Sequence, residues 1–323
     1  MKVFKLLLSL PLLGLAPVAL FSLSSCNEPV DNTVWSADGS NWKGHIDGTI
    51  NCVVTDDELH EGYAGYAVVN PQTKTGSNYP TVGYWAENLE IPEYVVKDGK
   101  KYQVTKIGNG AFYKDSHFDS GQIKGLTGKI KLPGSLQEIG EYAFYCCIYL
   151  NGKLEIPNSV TKIKDSAFAG DVNQYMCFTS LQLSNSLIEL CKYAFYRGTG
   201  FRGSLVIPST LTTIGESAFA TTRFDGSLTI PNSVTTINQN VFLDTSFTSL
   251  YLQGWMNCGK DSATGHYTWG NAFAKWVETG THYIHVPVTS SITKNSFPES
   301  EQGNVKSLRD NPAWDVQYDL NNS

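Results

Sequence analysis

The sequence predicts a repeat solenoid, in which short parallel strands and short helical or irregular returns stack in layers. A block of residues recurs, as in "SLVIPSTLTTIGESAF" (204–219) and "SLTIPNSVTTINQNVF" (227–242). From its opening Leu or Phe to its closing Phe each regular block contains 18 or 19 residues, whereas the closing Phe and the next opening residue lie 5 to 14 positions apart. A constant block length with variable connectors is typical of stacked units, because each block must match its neighbours while the connector faces solvent.

The copies of the block follow one another along most of the chain. They lie at 89–112, 126–144, 150–168, 178–195, 201–219 and 224–242, with the start of another at 247–252 and a decayed copy at 284–297.

Within a block, the segment before the proline predicts a half-buried strand. In "KLEIP", Leu154 and Ile156 alternate with Glu155, and Pro157 has no N–H with which to continue the ladder. The apolar residues that follow are spaced by three to five, which predicts a short helical or irregular return that ends in a core-filling phenylalanine. These phenylalanines are expected to stack as a spine: Phe112, Phe144, Phe168, Phe195, Phe219 and Phe242.

The pattern "LxIPxSVTxIGxxAF", with a period of about 23 residues, resembles the BspA-type leucine-rich repeat. The resemblance covers about 89–252, with a weak echo at 284–297. It implies a curved, right-handed leucine-rich-repeat superhelix. Members of the family are common on the surfaces of anaerobic Gram-negative bacteria and are mostly described as adhesins or binders of host proteins. The repeat itself predicts a scaffold and names no ligand.

The N-terminus predicts export and a lipid anchor. Two lysines precede an apolar run at 6–23, which is typical of a secretory signal. The "LSSC" motif resembles a bacterial lipobox, which implies a signal peptide at 1–25 and lipidation of Cys26. An ordinary signal peptide with a chance cysteine, or a transmembrane helix, is the alternative. The lipoprotein reading places the protein on the outer membrane, at the cell surface, and leaves the leaflet open.

The rest of the chain divides around the repeats. Residues 26–45 are polar and predict a tether, and 46–88 predict an N-terminal β-cap. The repeats occupy 89–252, and 253–323 predict a C-terminal cap with a degenerate repeat. A solenoid must cover the apolar ends of its stack. The tryptophans of the last segment are therefore interpreted as capping residues, with a ligand platform as the alternative: Trp255, Trp269, Trp276 and Trp314.

Charge and cysteine spacing exclude several classes of protein. The formal net charge is -6 and no basic cluster is present, which argues against nucleic acid as a partner and leaves the lipid anchor as the only membrane contact. The remaining cysteines follow the repeats more than a disulfide framework, which favours buried free thiols and leaves disulfides open. They are Cys52, Cys146, Cys147, Cys177, Cys191 and Cys258.

No pattern in the sequence predicts catalysis, a metal site or a cofactor. The GxSxG, HExxH, phosphate-loop and EF-hand patterns are absent. His282 and His285 are interpreted as surface or cap residues, and the acidic stretch 56–58 as a solvated turn. The protein is therefore predicted not to be an enzyme.

Two surfaces remain as candidates for binding. On the exposed face of the strands, the residue between the paired apolar positions is variable: Lys131, Glu155, Gln182, Val206, Thr229 and Tyr251. Only Tyr251 has the character of an anchor. The second surface is the edge formed by the long connectors 113–125 and 169–177. It carries the candidate ligand-binding residues Tyr113, His117, Phe118, Tyr175 and Met176. The alternative is that these side chains cover the phenylalanine spine.

The sequence therefore favours a surface-anchored, non-catalytic adhesion protein that binds a host or microbial surface or matrix protein. A glycan-binding accessory lipoprotein of an outer-membrane uptake system is the alternative, and clustered exposed aromatics at 253–323 would favour it. An enzyme and a purely structural envelope role are weaker hypotheses. The oligomeric state is left open.

Overall fold

The computed structural model describes ten segments of the chain and contains strands and turns, with no α-helix among those residues. The segments are 35–36, 43–47, 51–56, 62–70, 85–114, 126–172, 174–234, 236–253, 282–287 and 314–319. The strands are β1 (Trp35–Ser36), β2 (Lys43–Asp47), β3 (Asn51–Asp56), β4 (Gly65–Val69), β5 (Trp85–Glu90), β6 (Tyr94–Lys97), β7 (Lys100–Ile107), β8 (Leu126–Lys131), β9 (Glu138–Ile139), β10 (Tyr149–Glu155), β11 (Lys162–Ile163), β12 (Cys177–Gln182), β13 (Glu189–Leu190), β14 (Leu205–Val206), β15 (Thr213–Ile214), β16 (Ser227–Ile230), β17 (Thr236–Ile237), β18 (Ser249–Leu252), β19 (His282–Pro287) and β20 (Trp314–Asp319).

Each regular repeat contributes two strands that lie in different sheets. The strand before the proline was predicted, and in β10 Leu154 is buried while Glu155 is exposed, as the alternation requires. The return was predicted to be either helical or irregular. It contains a two-residue strand and tight turns, and no helix is found in it among the described residues. The two-residue strands continue the sheet from β7 and pair in parallel in the order β7-β9-β11-β13-β15-β17.

The strands before the proline form two further groups. One sheet has the order β12-β10-β8-β5-β2, and the other has the order β14-β16-β18-β19-β20. In the N-terminal part, β3 pairs antiparallel with β1 and β4, and β2 pairs antiparallel with β5. Strand β1 and the first residues of β2 lie within the segment predicted as a tether, so the chain enters the sheets before residue 46.

The predicted phenylalanine spine is confirmed. Consecutive rings from Phe112 to Phe242 lie nearly parallel, with centroid distances of 5.0, 4.9, 5.4, 5.4 and 5.7 Å. All six rings are buried. Each ring therefore packs on the layer before it and the layer after it, which couples the burial of one repeat to the presence of the next.

A second phenylalanine ladder runs beside the first. It consists of Phe178, Phe201, Phe224 and Phe247, whose parallel rings are separated by 6.2, 5.1 and 5.6 Å. These residues open the C-terminal blocks, where the earlier copies have leucine. The two ladders meet edge to face, as in the contact of Phe168 with Phe178 at 6.2 Å. The C-terminal layers are thus packed by two aromatic columns.

Backbone hydrogen bonds join the turns of successive layers. The N–H groups of Tyr142, Phe144 and Cys146 donate to three carbonyl oxygens of the next turn, at 2.9, 2.7 and 2.9 Å. The turn requires a left-handed backbone, and most copies adopt it at two positions four residues apart. Tyr142 and Cys146 have φ of 53° and 55°, and Tyr193 and Arg197 have φ of 57° and 59°. A left-handed conformation costs a non-glycine residue roughly 1–2 kcal/mol, and the repeated interlayer bonds offset that cost.

Replacing Phe168 with alanine should remove two ring stacks and leave a cavity in the middle of the spine. Truncation of a buried phenylalanine costs about 3–5 kcal/mol, so the free energy of unfolding should fall by that amount in a denaturant titration. As a control, Ile188→Ser changes an apolar residue that is 61% exposed and should cost little. Equal effects of the two substitutions would contradict the stacked core.

Candidate interaction surface

The structure separates the predicted binding residues into exposed and buried ones. Tyr175 is 41% exposed, and Tyr251 is half-buried. Tyr113 and Met176 are buried, and the Tyr113 ring stacks on Tyr145 at 5.3 Å. These two side chains therefore cover the interior, which is the alternative that the sequence left open for them. His117, Phe118 and the predicted lipidation site Cys26 lie outside the described residues.

Around Tyr175 the structure brings together tyrosines from different repeats. We define the turn edge as Tyr142, Tyr145, Tyr175, Tyr193, Tyr196 and Arg197. Four of these tyrosines flank the Ala-Phe pair in two copies that read "EYAFY" and "KYAFY", whereas the copies at 165–169 and 216–220 read "DSAFA" and "ESAFA". That substitution was the sequence signal for this surface. The signal was missed because these positions lie in blocks and not in connectors.

The connector after Phe168 completes the turn edge. Ala169 is small where three other copies carry tyrosine, and it is buried. Asp171 and Gln174 close this segment with reciprocal backbone hydrogen bonds of 2.8 and 3.0 Å. Gly170 is required here, because a Cβ atom would collide with the carbonyl oxygen of Gln174. The segment places Tyr175 beside the tyrosines of the next repeat.

Arg197 is held between two tyrosine rings of the turn edge. Its guanidinium carbon lies 5.2 Å from the Tyr196 centroid and 6.0 Å from that of Tyr175. Nη1 donates a hydrogen bond of 2.7 Å to the carbonyl oxygen of Asp171. Cation–π contacts of this kind add about 0.5–1 kcal/mol at exposed sites. They also restrict the freedom of the three side chains.

Tyr145 is held on the same edge by an acidic neighbour. Burial, then the nearby Cys146 and Asp171, raise the pKa of the Tyr145 phenol above its usual value. The phenol therefore stays neutral over the physiological range and donates a hydrogen bond to Asp171. Tyr193, packed edge-on against Tyr196 at 5.5 Å, is 37% exposed. The turn edge thus combines fixed aromatic rings with polar tips that reach solvent.

The exposed strand face has a different character. As predicted, Lys131, Glu155, Gln182 and Val206 are exposed. The Lys131 ammonium lies 2.7 Å from Glu90, and that of Lys153 lies 2.5 Å from Glu155. Farther along the row the Tyr251 and His285 rings stack at 4.2 Å. The charges of this face are therefore largely paired, and its aromatic residues lie at the C-terminal end.

The cysteines divide by burial. Cys52, Cys147, Cys177 and Cys191 are free thiols, and Cys52, Cys146 and Cys147 are buried. Burial raises the pKa of the Cys52 thiol to about 12 and also raises that of Cys147. Cys177 is exposed, so the prediction of a buried thiol was wrong for that residue. Cys258 lies outside the described residues.

No group of three or more His, Cys, Asp or Glu side chains in the described part of the chain is placed to hold a metal ion. Nor does that part contain a helix long and apolar enough to cross a membrane.

The fold and its repeating unit define a leucine-rich-repeat protein. Residues 105–248 match the model of the BspA type leucine rich repeat region in six copies. This range therefore consists of BspA-type leucine-rich repeats, and the resemblance seen in the sequence is confirmed. A comparison with curated proteins found no match.

Solved structures of low similarity are also leucine-rich-repeat proteins. A Bacteroides ovatus leucine-rich repeat protein is 21% identical, with a TM-score of 0.40, over 74% of this chain and 61% of its own. A leucine rich cell surface protein from Faecalibacterium prausnitzii is 17% identical, with a TM-score of 0.44, over 76% and 71%. The present chain thus spans less than two thirds of the length of the Bacteroides ovatus protein.

Native thiol alkylation should follow the burial of the cysteines. Iodoacetamide at mildly alkaline pH should modify Cys177 rapidly, because its thiol is exposed, and should leave Cys52 and Cys147 unmodified until denaturant is added. Mass spectrometry of the digested protein gives the extent of modification at each site. Modification of Cys147 at the rate of Cys177 in the native protein would contradict the buried position of Cys147.

Proposed function

We propose that the protein is a non-catalytic adhesion protein that binds a protein partner through the turn edge. The finer architecture belongs to the same proposal: the repeats form a right-handed solenoid that is capped at both ends. The partner class is a host or microbial surface or matrix protein. The observation that carries this proposal is the cluster of five tyrosines and an arginine on one edge of successive layers.

The composition of the turn edge supports a protein partner. Tyrosine and arginine are enriched among the residues that dominate the binding energy of protein interfaces. Tyr175 and Tyr193 are exposed, and the contacts of Arg197 with Tyr175 and Tyr196 restrict the freedom of all three side chains. Side chains that are ordered before binding lose less entropy on association. The turn edge is thus a pre-ordered surface with the chemistry of an interface.

Export and anchoring rest on the N-terminal sequence. The basic start, the apolar run at 6–23 and the "LSSC" motif support cleavage before Cys26 and acylation of that cysteine. Several acyl chains on one cysteine would hold the protein firmly to the outer membrane, whereas a single chain binds only marginally. A surface position would give the turn edge access to partners outside the cell.

A glycan-binding role is the second candidate, and a specific observation favours it. Tyr251 and His285 form a flat stack on the exposed strand face, with centroids 4.2 Å apart. Both residues are half-buried, so part of each ring reaches solvent. This stack is smaller than the turn edge and lies on β18 and β19, so the two candidates can be tested separately.

Substituting three tyrosines of the turn edge should weaken binding to a protein partner strongly. The full chain in detergent would be tested against a panel of purified extracellular-matrix and bacterial surface proteins and against a glycan array. The triple variant Tyr175→Ser, Tyr193→Ser, Tyr196→Ser should bind at least about thirtyfold more weakly, because one hot-spot residue contributes roughly 2 kcal/mol.

Val206→Ser is the matched control, since Val206 is 62% exposed and lies on the strand face. Circular dichroism would show that all variants are folded. Protein binding that survives the triple substitution would contradict the turn edge as the site. Glycan binding that is lost only in Tyr251→Ala would replace the first candidate by the second.

The lipid anchor is tested on the same chain. Cells grown with an alkyne-bearing fatty acid should incorporate the label into the protein, and Cys26→Ser should abolish incorporation and release the protein from the membrane fraction. Cys177→Ser is the control, because it removes an exposed cysteine far along the chain. Equal labelling of the Cys26→Ser variant would contradict the anchor.

A further inference from the structure

The strands before the proline do not form one continuous sheet, because the pairing stops between β12 and β14. Consecutive strands of this series are hydrogen-bonded from β5 to β12 on one side of the break and from β14 to β20 on the other. We define the junction as the contact between the layer of residues 178–195 and the layer of residues 201–219. Its strand side is the side of β12 and β14, and its turn side is the side of the turn at 193–197.

The sheet of two-residue strands is also less regular at the junction. On either side, β11 pairs with β13 and β15 pairs with β17 at two residues each. Across the junction, β13 and β15 are paired only at Leu190 with Ile214. The carbonyl oxygens of Gln137 and Thr161 accept a backbone bond from the next layer at 2.9 Å, whereas no such bond reaches Ile188 within that fully described part of the chain.

The turn side of the junction keeps the regular bonds. The N–H groups of Tyr193, Phe195 and Arg197 donate to the next turn at 2.9, 2.8 and 2.9 Å, as their equivalents do in the earlier layers. The rings of Phe195 and Phe219 stack at 5.4 Å and are inclined by only 5°. The two layers are therefore joined on the turn side and have lost bonds on the strand side.

The second phenylalanine ladder shows the same irregularity. Phe178 and Phe201, which meet across the junction, are 6.2 Å apart and inclined by 13°. The next two ring pairs of that ladder are separated by 5.1 and 5.6 Å and inclined by 3° and 6°. The rings that open the blocks are thus spaced more widely and tilted more at the junction than beyond it.

A shortened copy of the block places the break here. The copy at 178–195 has 18 residues where its neighbours have 19, and it carries Ser184 in place of the proline. Its strand segment reads "FTSLQLS", one residue shorter than "FRGSLVIP" in the next copy. Strand β12 accommodates the missing residue against β10 through a register shift, and it does not pair with β14.

We infer that the junction is a hinge, about which the layers after it rotate relative to the layers before it while the turn side stays bonded. The strand side is held by the Thr210 hydroxyl, which donates to the Leu187 carbonyl oxygen at 2.5 Å, and by the backbone bond from Gly215 to Leu190 at 2.9 Å. Opening of the hinge breaks these contacts. Hinges in proteins need only a few residues that absorb the change in backbone conformation.

A hinge at this position divides the layers into two arms with different surfaces. The tyrosines of the turn edge belong to the first arm, whereas Tyr251 on β18 belongs to the second. Rotation changes the position of Tyr251 relative to Gln182 on β12, and it leaves the turn edge as it is. The inference does not depend on the proposed partner, because it rests on the bonds between layers.

Amide hydrogen exchange of the full chain in detergent tests the hinge with matched amides. Gly140 and Gly215 both follow isoleucine and precede glutamate, and both donate to the preceding layer at 2.9 Å. Their exchange in an unfolded chain is therefore nearly the same. Gly215 should exchange at least about tenfold faster than Gly140 in the folded chain, because only its bond crosses the junction. Equal exchange of the two amides would overturn the hinge.

The turn side supplies a second matched pair. Phe144 and Phe195 both lie in the sequence "YAFY", and they donate to the next layer at 2.7 and 2.8 Å. Only the Phe195 bond crosses the junction, and the hinge keeps that bond closed. The two amides should therefore exchange equally slowly. Exchange of Phe195 as fast as that of Gly215 would contradict a hinge, because the whole layer would then separate.

Restoring the regular length of the short copy should close the hinge. The variant carries Ser184→Pro and one glycine inserted between Thr179 and Ser180, so that the segment reads "FTGSLQLP". Exchange of Gly215 should then slow about tenfold, to the rate of Gly140. One glycine inserted instead after Asp98, in the exposed turn between β6 and β7, is the control and should leave Gly215 unchanged.

Fast exchange of Gly215 in the folded repaired chain would overturn the assignment of the hinge to the short copy. Circular dichroism would establish that both insertion variants are folded. The two matched pairs in the wild-type chain decide the presence of the hinge whether or not the repaired variant folds. None of these results affects the binding of a protein partner at the turn edge, which the tyrosine variants test.

Discussion

In each layer of this protein, the backbone N–H groups of the turn and the phenylalanine ring must be aligned with the carbonyl oxygens and the ring of the next layer. The N–H groups of one turn meet the carbonyl oxygens of the next, and the ring of one layer covers that of its neighbour, as at Phe144 and Phe168. A residue added within a block would move both sets of contacts out of register. The constant block length and the variable connectors follow from that constraint.

The same constraint explains how much the sequence revealed. The period predicted the strand around Glu155 and the stacking of Phe112 to Phe242, because these positions repeat in every layer. The connectors do not repeat, so the inward positions of Tyr113 and Met176 could not be read from the period. The two-residue strands were also missed, since their pairing depends on neighbours that are distant in sequence.

The candidate sites arise where individual layers depart from the common pattern. Tyrosine replaces serine and alanine around two of the Ala-Phe pairs, and the connector that follows Ala169 carries Tyr175. The sequence contained this departure, although its meaning required the layers to be superposed.

The central claim is that consecutive turns are joined by backbone bonds from the phenylalanine positions, and residue-resolved amide hydrogen exchange of the full chain tests it most directly. The amides of Phe144, Phe168 and Phe195 donate to the next layer at 2.7–2.8 Å, so all three should exchange together and slowly, at the rate set by opening of the stack. Exchange of these amides as fast as that of exposed turn residues would contradict the layered account.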